Sequence, residues 1–466
     1  MLTASLRRLG VEPARPRFVA RWPHAHWLAV AAVCLGAFMG QLDASIVTLT
    51  FPALSRQFGA SLAGVQWVSL SYLLTLVALL VPVGRLADAV GRKLVYLYGF
   101  AVFTAASAAC GFADSLPLLV GLRVVQAVGA AMLQANSVAL VTTSSPRGSM
   151  RAALGVQAAA QAIGLALGPT LGGLLVAGAG WQWVFWVNVP IGLVAIAAGR
   201  YLLPRTRQHT HMRQIDWIGV ALLGASSTAL LLALSGLSGL DAPVWALVML
   251  FLAAAAAGVG FVLRQRVAAE PMIDLNLLRD RVVAGGLVAA MLGYLVLFGP
   301  LVLIPVLGGS VVRAGVVLTS LPVGFALAAT FGGSRWPDRR GADRPSSERN
   351  RAGRNGAFIG GLICVAALIP LCLLPLTDPV LAISLAALGI GLGLFTPANN
   401  ATVMAAIPAA CSGVGGGLVN MARGLGTTLG VALVTLALHG VGPRAAILVL
   451  LAAAVGLAVV SQRQSA

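Results

Sequence analysis

The connection between two long apolar runs reads Gly84-Arg85-Leu86-Ala87-Asp88-Ala89-Val90-Gly91-Arg92-Lys93. Its two glycines have no side chain to obstruct a neighbouring helix, so they allow close helix approach and a tight turn. The aspartate can cap a helix or pair with a cation, and the terminal Arg-Lys pair can anchor the chain at a membrane surface. An ordinary charged turn requires no such spacing, so these ten residues predict a structured connection between two membrane helices.

The composition assigns the chain to the membrane proteins. Hydrophobic residues make up 59% of its 466 residues and charged residues only 9%. The mean hydropathy is +0.93, far from the balance of a soluble domain. The sequence therefore predicts an all-α integral membrane protein.

Apolar runs of membrane length recur along the whole chain. A helix crosses the hydrocarbon core in about 20 residues. Fourteen such spans are predicted, at residues 27–50, 65–83, 94–112, 116–139, 152–176, 184–203, 217–236, 243–262, 282–306, 313–332, 356–375, 379–405, 413–437 and 444–461.

The net charge of +18 is spread over alternate loops and does not gather on one domain. The loops on the N-terminal side carry Arg85, Arg92, Lys93, Arg147, Arg151 and the arginines within 205–213, 264–281 and 335–354. Cytoplasmic loops are enriched in Lys and Arg, so both termini are predicted to be cytoplasmic in a multi-pass protein of the cytoplasmic membrane. A basic face for nucleic acid is not indicated.

Matching residue spacings relate the two ends of the chain. The paired sets are Gly155, Gln161 and Gly168 with Gly417, Arg423 and Gly430; Gly129 and Asn136 with Gly393 and Asn400; Asp88 and Gly91 with Asp338 and Gly341. Internal duplication is typical of secondary transporters. The predicted organisation is a basic cytoplasmic tail (1–26), a six-helix bundle (27–203), two extra helices with flanking loops (204–281), a second six-helix bundle (282–461) and a short tail (462–466).

Asp43 is the carboxylate placed inside the apolar segments. An ionised carboxylate in hydrocarbon costs at least about 2.5 kcal/mol, so a function or a polar cavity is expected there. At a rise of 1.5 Å per residue, Asp43 lies roughly 7 Å from the middle of span one, toward the outer side of the membrane. Arg123 lies roughly 6 Å from the middle of span four, toward the same side. The two can share one aqueous cavity. Either Asp43 carries a proton with Arg123 tuning its affinity, or the two form a static pair joining spans one and four.

Further polar residues lie inside the spans. Those predicted to line a substrate cavity are Gln41, Gln126, Gln134, Asn136, Asn400, Asn420 and Arg423. Polar contacts between helices explain such residues almost as well. Arg423 either binds an anion or acts as a second electrostatic switch, or it is satisfied by the backbone and Asn420.

Span five holds a glycine-rich stretch made of Gly164, Gly168, Pro169, Gly172 and Gly173. The glycines form a close-packing face, and the proline removes one backbone donor and permits a bend.

Neither a metal nor a cofactor is predicted, because Cys34, Cys110, Cys364, Cys372, Cys411 and the histidines have no ligand spacing. The chain also lacks a phosphate-binding Gly-x4-Gly-Lys-Ser/Thr motif, which makes its own ATP hydrolysis an unlikely source of energy.

The decapeptide at 84–93 closely resembles the loop signature of the major facilitator superfamily. The stretch from Gly164 to Gly173 resembles the antiporter signature of its proton-coupled drug exporters. Residues 181–192, 41–47, 123–131 and 397–430 are similar to segments of the fourteen-span drug:proton antiporters, although Gln182 stands where a basic residue is usual. The resemblance implies two six-helix bundles plus two extra helices, and it implies that 84–93 forms a cytoplasmic gate and 164–173 a hinge.

The expected function is export of hydrophobic drugs or antibiotics in exchange for protons, by alternating access and without a cofactor. The expected partners are a hydrophobic small molecule, protons and the bilayer, with the chain as a monomer. A proton-linked transporter of one metabolite is the nearer alternative. An integral-membrane enzyme or a sensor is a remote one, because an enzyme is expected to cluster His, Asp or Glu at a membrane face.

Overall fold

The computed structural model describes residues 12–146, 148–206, 216–237, 243–268, 271–307, 311–335 and 346–465. Every regular element within these ranges is helical. Among these described residues, fourteen helices are long and apolar enough to cross a membrane, which confirms the predicted number. The membrane solvates no unpaired backbone group, so helices that satisfy their own hydrogen bonds are the structure expected of such segments.

Spans one to six follow one another along the chain from the N-terminus. Span one combines Ala25–Ile46, a 3-10 turn at Val47–Thr50 and Phe51–Phe58; the others are Leu62–Val90, Arg92–Cys110, Leu116–Ser144, Met150–Gly178, and Gln182–Trp186 with Asn188–Leu202. A short helix, Arg17–Ala20, precedes them.

The remaining eight spans include the two inserted helices, which are spans seven and eight. Spans seven to fourteen are Trp217–Leu237, Val244–Val267, Arg281–Val306, Val311–Arg335, Ser346–Leu373, Asp378–Ala406, Ser412–Gly440 and Pro443–Ser465. Short helices at Leu275–Arg279 and Ala409–Cys411 connect some of them.

Local chemistry sets several helix ends. The Ser61 hydroxyl accepts a hydrogen bond from the Gly64 N–H at the start of span two. The Asp280 carboxylate accepts from the N–H groups of Val282 and Val283 at the start of span nine. Such caps satisfy donors that the first turn of a helix leaves free. Gly91 separates spans two and three with φ of 124°, a conformation that favours glycine.

The interior divides into two large apolar clusters. One is built mainly from spans one to six and includes Met39, Tyr96 and Phe100. The other is built mainly from spans nine to fourteen and includes Phe325 and Phe395. Alanine and glycine are frequent in both, which lets the helices approach closely in the absence of a hydrophobic force between them in lipid.

The two ends of the chain use equivalent helix pairs. A β-carbon added at Gly155 in span five would collide with the Ala329 carbonyl in span ten, and one added at Gly417 in span thirteen would collide with the Leu80 carbonyl in span two. Each glycine therefore faces the second span of the opposite half. This is the relationship expected of the predicted repeat, whose partners Asp338 and Gly341 lie outside the described residues.

Close approach between the halves is concentrated at the end of the molecule that carries the arginine-rich loops, termed here the arginine-rich end. Backbone meets backbone there at Gly84 with Gly413 and at Gly416 with Ala135. These positions lie in the parts of spans two, four and thirteen nearest that end. The two halves are thus tightly packed at the arginine-rich end.

Spans seven and eight form a pair beside span two. At their arginine-rich end Asp216 accepts hydrogen bonds from Arg264 Nε at 3.0 Å and from Gln265 Nε2 at 3.1 Å. Gln265 Oε1 in turn accepts from the Ile273 N–H at 3.1 Å. Ile273 packs in an apolar cluster with residues of spans two and thirteen, so the inserted pair is tied to the seam between the halves.

Candidate functional site

Asp43 and Arg123 form an ion pair in the interior of spans one and four. Their Oδ2 and Nη1 atoms are 2.8 Å apart, and their side chains are 0% and 1% exposed. The structure therefore brings together the two residues for which the helical rise predicted a similar depth in the membrane. It does so in a closed polar cluster, whereas the sequence predicted a shared aqueous cavity, because neighbouring polar side chains take the place of water.

Each charge of the pair is surrounded by further hydrogen bonds. Gln126 Nε2 and Asn188 Nδ2 donate to Asp43 Oδ1 at 3.0 and 3.1 Å. Arg123 Nη1 donates to Gln126 Oε1 at 2.7 Å, and Arg123 Nε donates to the Val68 carbonyl at 3.0 Å. Both carboxylate oxygens thus accept hydrogen bonds, which offsets the desolvation of a buried ion pair.

Aromatic and hydroxyl groups complete this cluster. The Arg123 guanidinium carbon lies 4.1 Å from the centre of the Tyr72 ring and 5.7 Å from that of Phe185. The Ser107 hydroxyl accepts from Gln126 and from Asn188, each at 3.2 Å. A guanidinium over an aromatic face gains further electrostatic attraction.

Reasoning from the sequence missed Asn188, Ser107 and Tyr72 as members of the site. Asn188 interrupts the apolar run Val187-Asn188-Val189 at the start of a helix in span six, and that isolated amide was the signal available. Gln126 was predicted to line the substrate cavity. It instead belongs to the shell of the ion pair, because it lies one helical turn from Arg123 on the same face.

Asp88 links the two halves at the arginine-rich end. Its Oδ1 accepts from the Gly413 N–H at 2.8 Å and its Oδ2 from the Val414 N–H at 2.9 Å, at the start of span thirteen. Arg92 Nε donates to the same carboxylate at 2.8 Å, and Arg92 Nη2 donates to the Ala409 carbonyl at 2.6 Å. The carboxylate caps a helix of the opposite half, where its negative charge meets the positive end of the helix dipole.

Lys93 remains within the first half. Its Nζ donates to the carbonyls of Pro13, Arg200 and Leu203 at 2.9, 2.9 and 2.7 Å. The Glu12 carboxylate accepts from the Lys93 N–H at 3.1 Å. Of the five predicted gate residues, Gly84, Asp88 and Arg92 meet the opposite half, Gly91 makes the turn, and Lys93 fastens the N-terminal segment to spans three and six.

The glycine-rich face of span five packs mainly on span one, the helix that carries Asp43. Added β-carbons at Gly164, Gly168 and Gly172 would collide with Phe38, Ser45 and Ile46, respectively. Gly173 faces open space. The helix continues through position 169, and the Pro169 side chain lies outside the described part of the chain.

A narrow cavity lies between the halves. It is lined by Gln41, Gln161, Tyr294, Phe298, Phe325, Ala158, Ala162, Leu165, Leu297, Leu321 and Pro322. Its wall is largely apolar and aromatic, with two amides to orient a ligand, as is common for small-molecule sites. Gln41 is the predicted substrate-cavity residue that lines it.

The other six predicted cavity residues lie outside this lining. Asn136 Nδ2 donates to the Met132 carbonyl of its own helix at 2.8 Å, whereas its Oδ1 is buried without a hydrogen-bond partner among the described residues. Asn420 Nδ2 donates to the Gln134 carbonyl at 2.8 Å and so joins spans thirteen and four. Asn400 is 2% exposed within span twelve. The side-chain NH₂ groups of Asn136 and Asn420 thus serve contacts within and between helices in this conformation.

Arg423 is buried behind an aromatic wall of the cavity. Its Nη1 donates to Asn420 Oδ1 at 3.1 Å, and its guanidinium carbon lies 5.1 Å from the Tyr294 ring centre. Its Nε is buried with no hydrogen-bond partner among the described residues. Tyr294 lines the cavity between the halves, so this charge stands one side chain away from it.

Two helical clusters, a buried ion pair and an intervening cavity define a multi-pass membrane transporter. A family model described as Major Facilitator Superfamily matches residues 33–431. The chain belongs to the major facilitator superfamily. No group of three or more His, Cys, Asp or Glu able to hold a metal occurs among the residues that the structure describes.

Curated relatives and a solved structure agree with this assignment. The riboflavin transporter RibZ of Clostridioides difficile (strain 630) is 30% identical over 415 residues, covering 87% of each chain. The tetracenomycin C resistance and export protein of Streptomyces glaucescens is 32% identical over 419 residues, covering 87% of this chain and 74% of that protein. The human organic anion transporter MFSD10 (TETRAN) superposes with a TM-score of 0.69 at 16% identity, covering 95% of this chain and 100% of that one. These findings confirm the resemblance stated from the sequence motifs.

Proposed function

We propose that this chain exports hydrophobic drugs or antibiotics across the cytoplasmic membrane in exchange for protons. The observation that carries the proposal is the ion pair of Asp43 and Arg123, which is buried inside the spans and ringed by polar groups. A charge at that depth is costly and marks ion pathways in membrane proteins. The relative from Streptomyces glaucescens, named for resistance and export, supports the direction of transport.

The ion pair suits a carrier of one proton. When Asp43 takes a proton, the carboxylate loses its charge and Arg123 is left as an uncompensated buried cation. Such a state is unfavourable in the closed cluster, so protonation favours a rearrangement that admits water or a substrate to Arg123. Release of the proton on the other side re-forms the pair.

The cavity between the halves suits a hydrophobic compound. Tyr294, Phe298 and Phe325 supply aromatic surface, and the amides of Gln41 and Gln161 can hydrogen-bond a carbonyl or hydroxyl group. The glycines of span five pack on span one, the helix that carries Asp43, and other residues of span five, such as Gln161, line this cavity. Movement of this helix is thus a means to couple the proton site to the substrate.

Alternating access would arise by rocking the two halves about this cavity. The glycine approaches and the Asp88 cap at the arginine-rich end, which we assign to the cytoplasm together with both termini, would part when the transporter opens inward. The chain would act as a monomer. The proton gradient would supply the energy, and no cofactor would be needed. An enzymatic or purely sensory role is not part of this proposal.

The test is the Asp43→Asn variant reconstituted in liposomes. We expect proton-driven transport to be lost while substrate exchange without a proton gradient continues, because asparagine keeps the shape of the site and cannot titrate. Gln161→Glu, which adds a carboxylate at the substrate cavity and leaves Asp43 intact, serves as a charge control. Failure of Asp43→Asn to insert would support a static structural pair, and unchanged proton-driven transport would refute the proposal.

A second candidate is a proton-linked transporter of one metabolite. The observation favouring it is the similarity to a protein named as a riboflavin transporter, with equal 87% coverage of both chains. Uptake and efflux assays over a panel of structurally unrelated compounds distinguish the two. A response to a single compound supports the metabolite transporter, and a response to several supports the drug exporter.

A further inference from the structure

A second cavity opens at the arginine-rich end, away from the ion pair and the substrate cavity. Its volume is about 490 Å³. Its wall includes the cations Arg15, Arg92 and Arg205 together with His26. Among the described residues that line it, none is a carboxylate. The cavity therefore concentrates positive charge without an acidic partner in its wall.

Two carboxylates adjoin the wall, Asp88 and Glu12, and both are committed to other contacts; Asp88 pairs with Arg92 at 2.7 Å. Glu12 Oε1 accepts from Thr206 Oγ1 at 2.7 Å, and Glu12 Oε2 accepts from the Thr206 N–H at 2.6 Å. Glu12 Oε1 also accepts from the Lys93 N–H at 3.1 Å. These bonds hold the N-terminal segment in place, with Arg15 at the cavity wall. The Glu12 carboxylate accepts from Thr206 and Lys93 and makes no ion pair with Arg15.

Donors around this cavity are left without partners. Arg15 Nη2 donates to the Ala25 carbonyl, yet Arg15 Nε has no hydrogen-bond partner within the described part of the chain. The hydroxyls of Ser144 and Ser145, at the end of span four, are likewise buried without a partner. A buried donor without an acceptor is unfavourable, so a ligand that supplies several acceptor oxygens is favoured here.

We propose that this cavity binds the phosphate group of an anionic ligand, either a lipid headgroup or a free phosphate. Arginine forks and serine hydroxyls are the donors that recognise phosphate oxygens. The adjoining segment presents Phe18 and Trp22, which are 79% and 52% exposed. Aromatic side chains beside arginines are typical of a segment that rests at the lipid headgroups.

The site spans both halves of the transporter. Arg92 begins span three, whereas Ala409, which also lines the cavity, precedes span thirteen. Arg92 Nη2 already donates to the Ala409 carbonyl at 2.6 Å in the packed arrangement. A bound phosphate group stabilises this arrangement at the arginine-rich end, and so sets the balance between the conformations.

The test uses the purified full chain in detergent, with thermal unfolding measured as cardiolipin, phosphatidylcholine or inorganic phosphate is titrated. We expect cardiolipin or inorganic phosphate to raise the Tm of the wild type, with phosphatidylcholine far weaker. The double variant Arg15→Gln/Arg205→Gln is expected to bind the active probe at least tenfold more weakly. Arg17→Gln removes one charge, as Arg205→Gln alone does, from a neighbouring exposed position outside the cavity, and it should bind as the wild type does.

The two probes separate the sources of the phosphate group. A response to cardiolipin alone identifies a lipid headgroup, and a response to inorganic phosphate identifies a soluble ligand; either supports the site if it depends on Arg15 and Arg205. Because Arg15 also holds the Ala25 carbonyl, Arg205→Gln alone supplies the test if the double variant does not fold. Absence of any response, or equal weakening in Arg17→Gln, overturns the proposal.

Discussion

Arg123 donates to Asp43 across 2.8 Å, although 79 residues separate them in the chain and neither side chain is more than 1% exposed. The same Arg123 Nη1 also donates to Gln126, which returns a hydrogen bond to the other oxygen of Asp43. The three side chains thus close a ring of hydrogen bonds between spans one and four. Removal of any one member leaves a buried polar group without its partner.

The first prediction concerns the cation of this ring. Arg123→Met should lower the free energy of unfolding by about 3–5 kcal/mol, because it leaves the Asp43 carboxylate buried and unpaired. The double variant Asp43→Asn/Arg123→Met should recover most of that loss. Chemical or thermal denaturation in detergent measures both. Equal stability of the single variant and the wild type would contradict an energetically coupled pair.

The second prediction concerns the glycine approach between the halves. Gly84→Val should open the arginine-rich end, because its added atoms would collide with the Gly413 backbone. Gly173→Val, at a position that faces open space, is the matched control and should have little effect. Distances between spin labels at Val90 and Ala409, after replacement of the five native cysteines, report the opening. An unchanged distance distribution in Gly84→Val would refute this role of the glycine.

The third prediction concerns the cap that Asp88 provides for span thirteen. Asp88→Ala removes both backbone hydrogen bonds and the partner of Arg92, so the packed conformation should lose about 1–2 kcal/mol. The same spin-label distances should then show a larger open population. Asp114→Ala removes an exposed carboxylate at the opposite end and serves as the control. An open population no greater than that of the control would exclude a gating role for Asp88.

The fourth prediction concerns pH and the inserted helix pair. Burial raises the pKa of Asp216, but hydrogen bonds from Gly219, Arg264 and Gln265 outweigh it and leave the pKa below its ordinary value. A lowered pKa in the folded state means that the stabilisation is present above the ordinary value of about 3.9 and is lost as the pH falls through the lowered pKa. The protection of spans seven and eight against hydrogen exchange, taken relative to the intrinsic rate at each pH, should therefore fall in strong acid.

Asp216→Asn tests the same contact at neutral pH. It should reproduce the faster exchange of this helix pair without acid, since the amide lacks the charge that holds Arg264. Its protection relative to the intrinsic exchange rate should also become insensitive to pH over the range in which that of the wild type changes. If the variant and the wild type exchange alike at neutral pH, the ion pair does not secure these helices.

The fifth prediction concerns the charge of exported compounds. Asp43 is paired with Arg123, and Arg423, which lies behind Tyr294 at the cavity wall, is itself a cation. Neither pair of contacts provides a free carboxylate that could bind a dication. Neutral, monocationic or anionic compounds should be exported, and bulky dications should not. Susceptibility of cells that express the chain, with and without an uncoupler, measures this. Efficient uncoupler-sensitive efflux of a bulky dication would contradict it.

Several features followed directly from the sequence. Apolar runs of membrane length gave the number of spans because a helix must hydrogen-bond itself in lipid, and every such run had to form one. The depth of Asp43 and Arg123 followed from the helical rise alone. The close-packing roles of Gly164 and Gly168 also followed, because a glycine face in a membrane helix marks a neighbouring backbone.

Tertiary structure alone decided which polar side chains meet. Sequence order gave no means to know that Asn188 in span six reaches Asp43, or that Gln126 turns to the ion pair and away from the substrate cavity. It also gave no sign that Glu12 would carry Arg15 into a basic cavity. Local composition fixes how deep a residue lies in the bilayer, but rotation and packing of the helices fix its partners, since these depend on contacts between segments far apart in the chain.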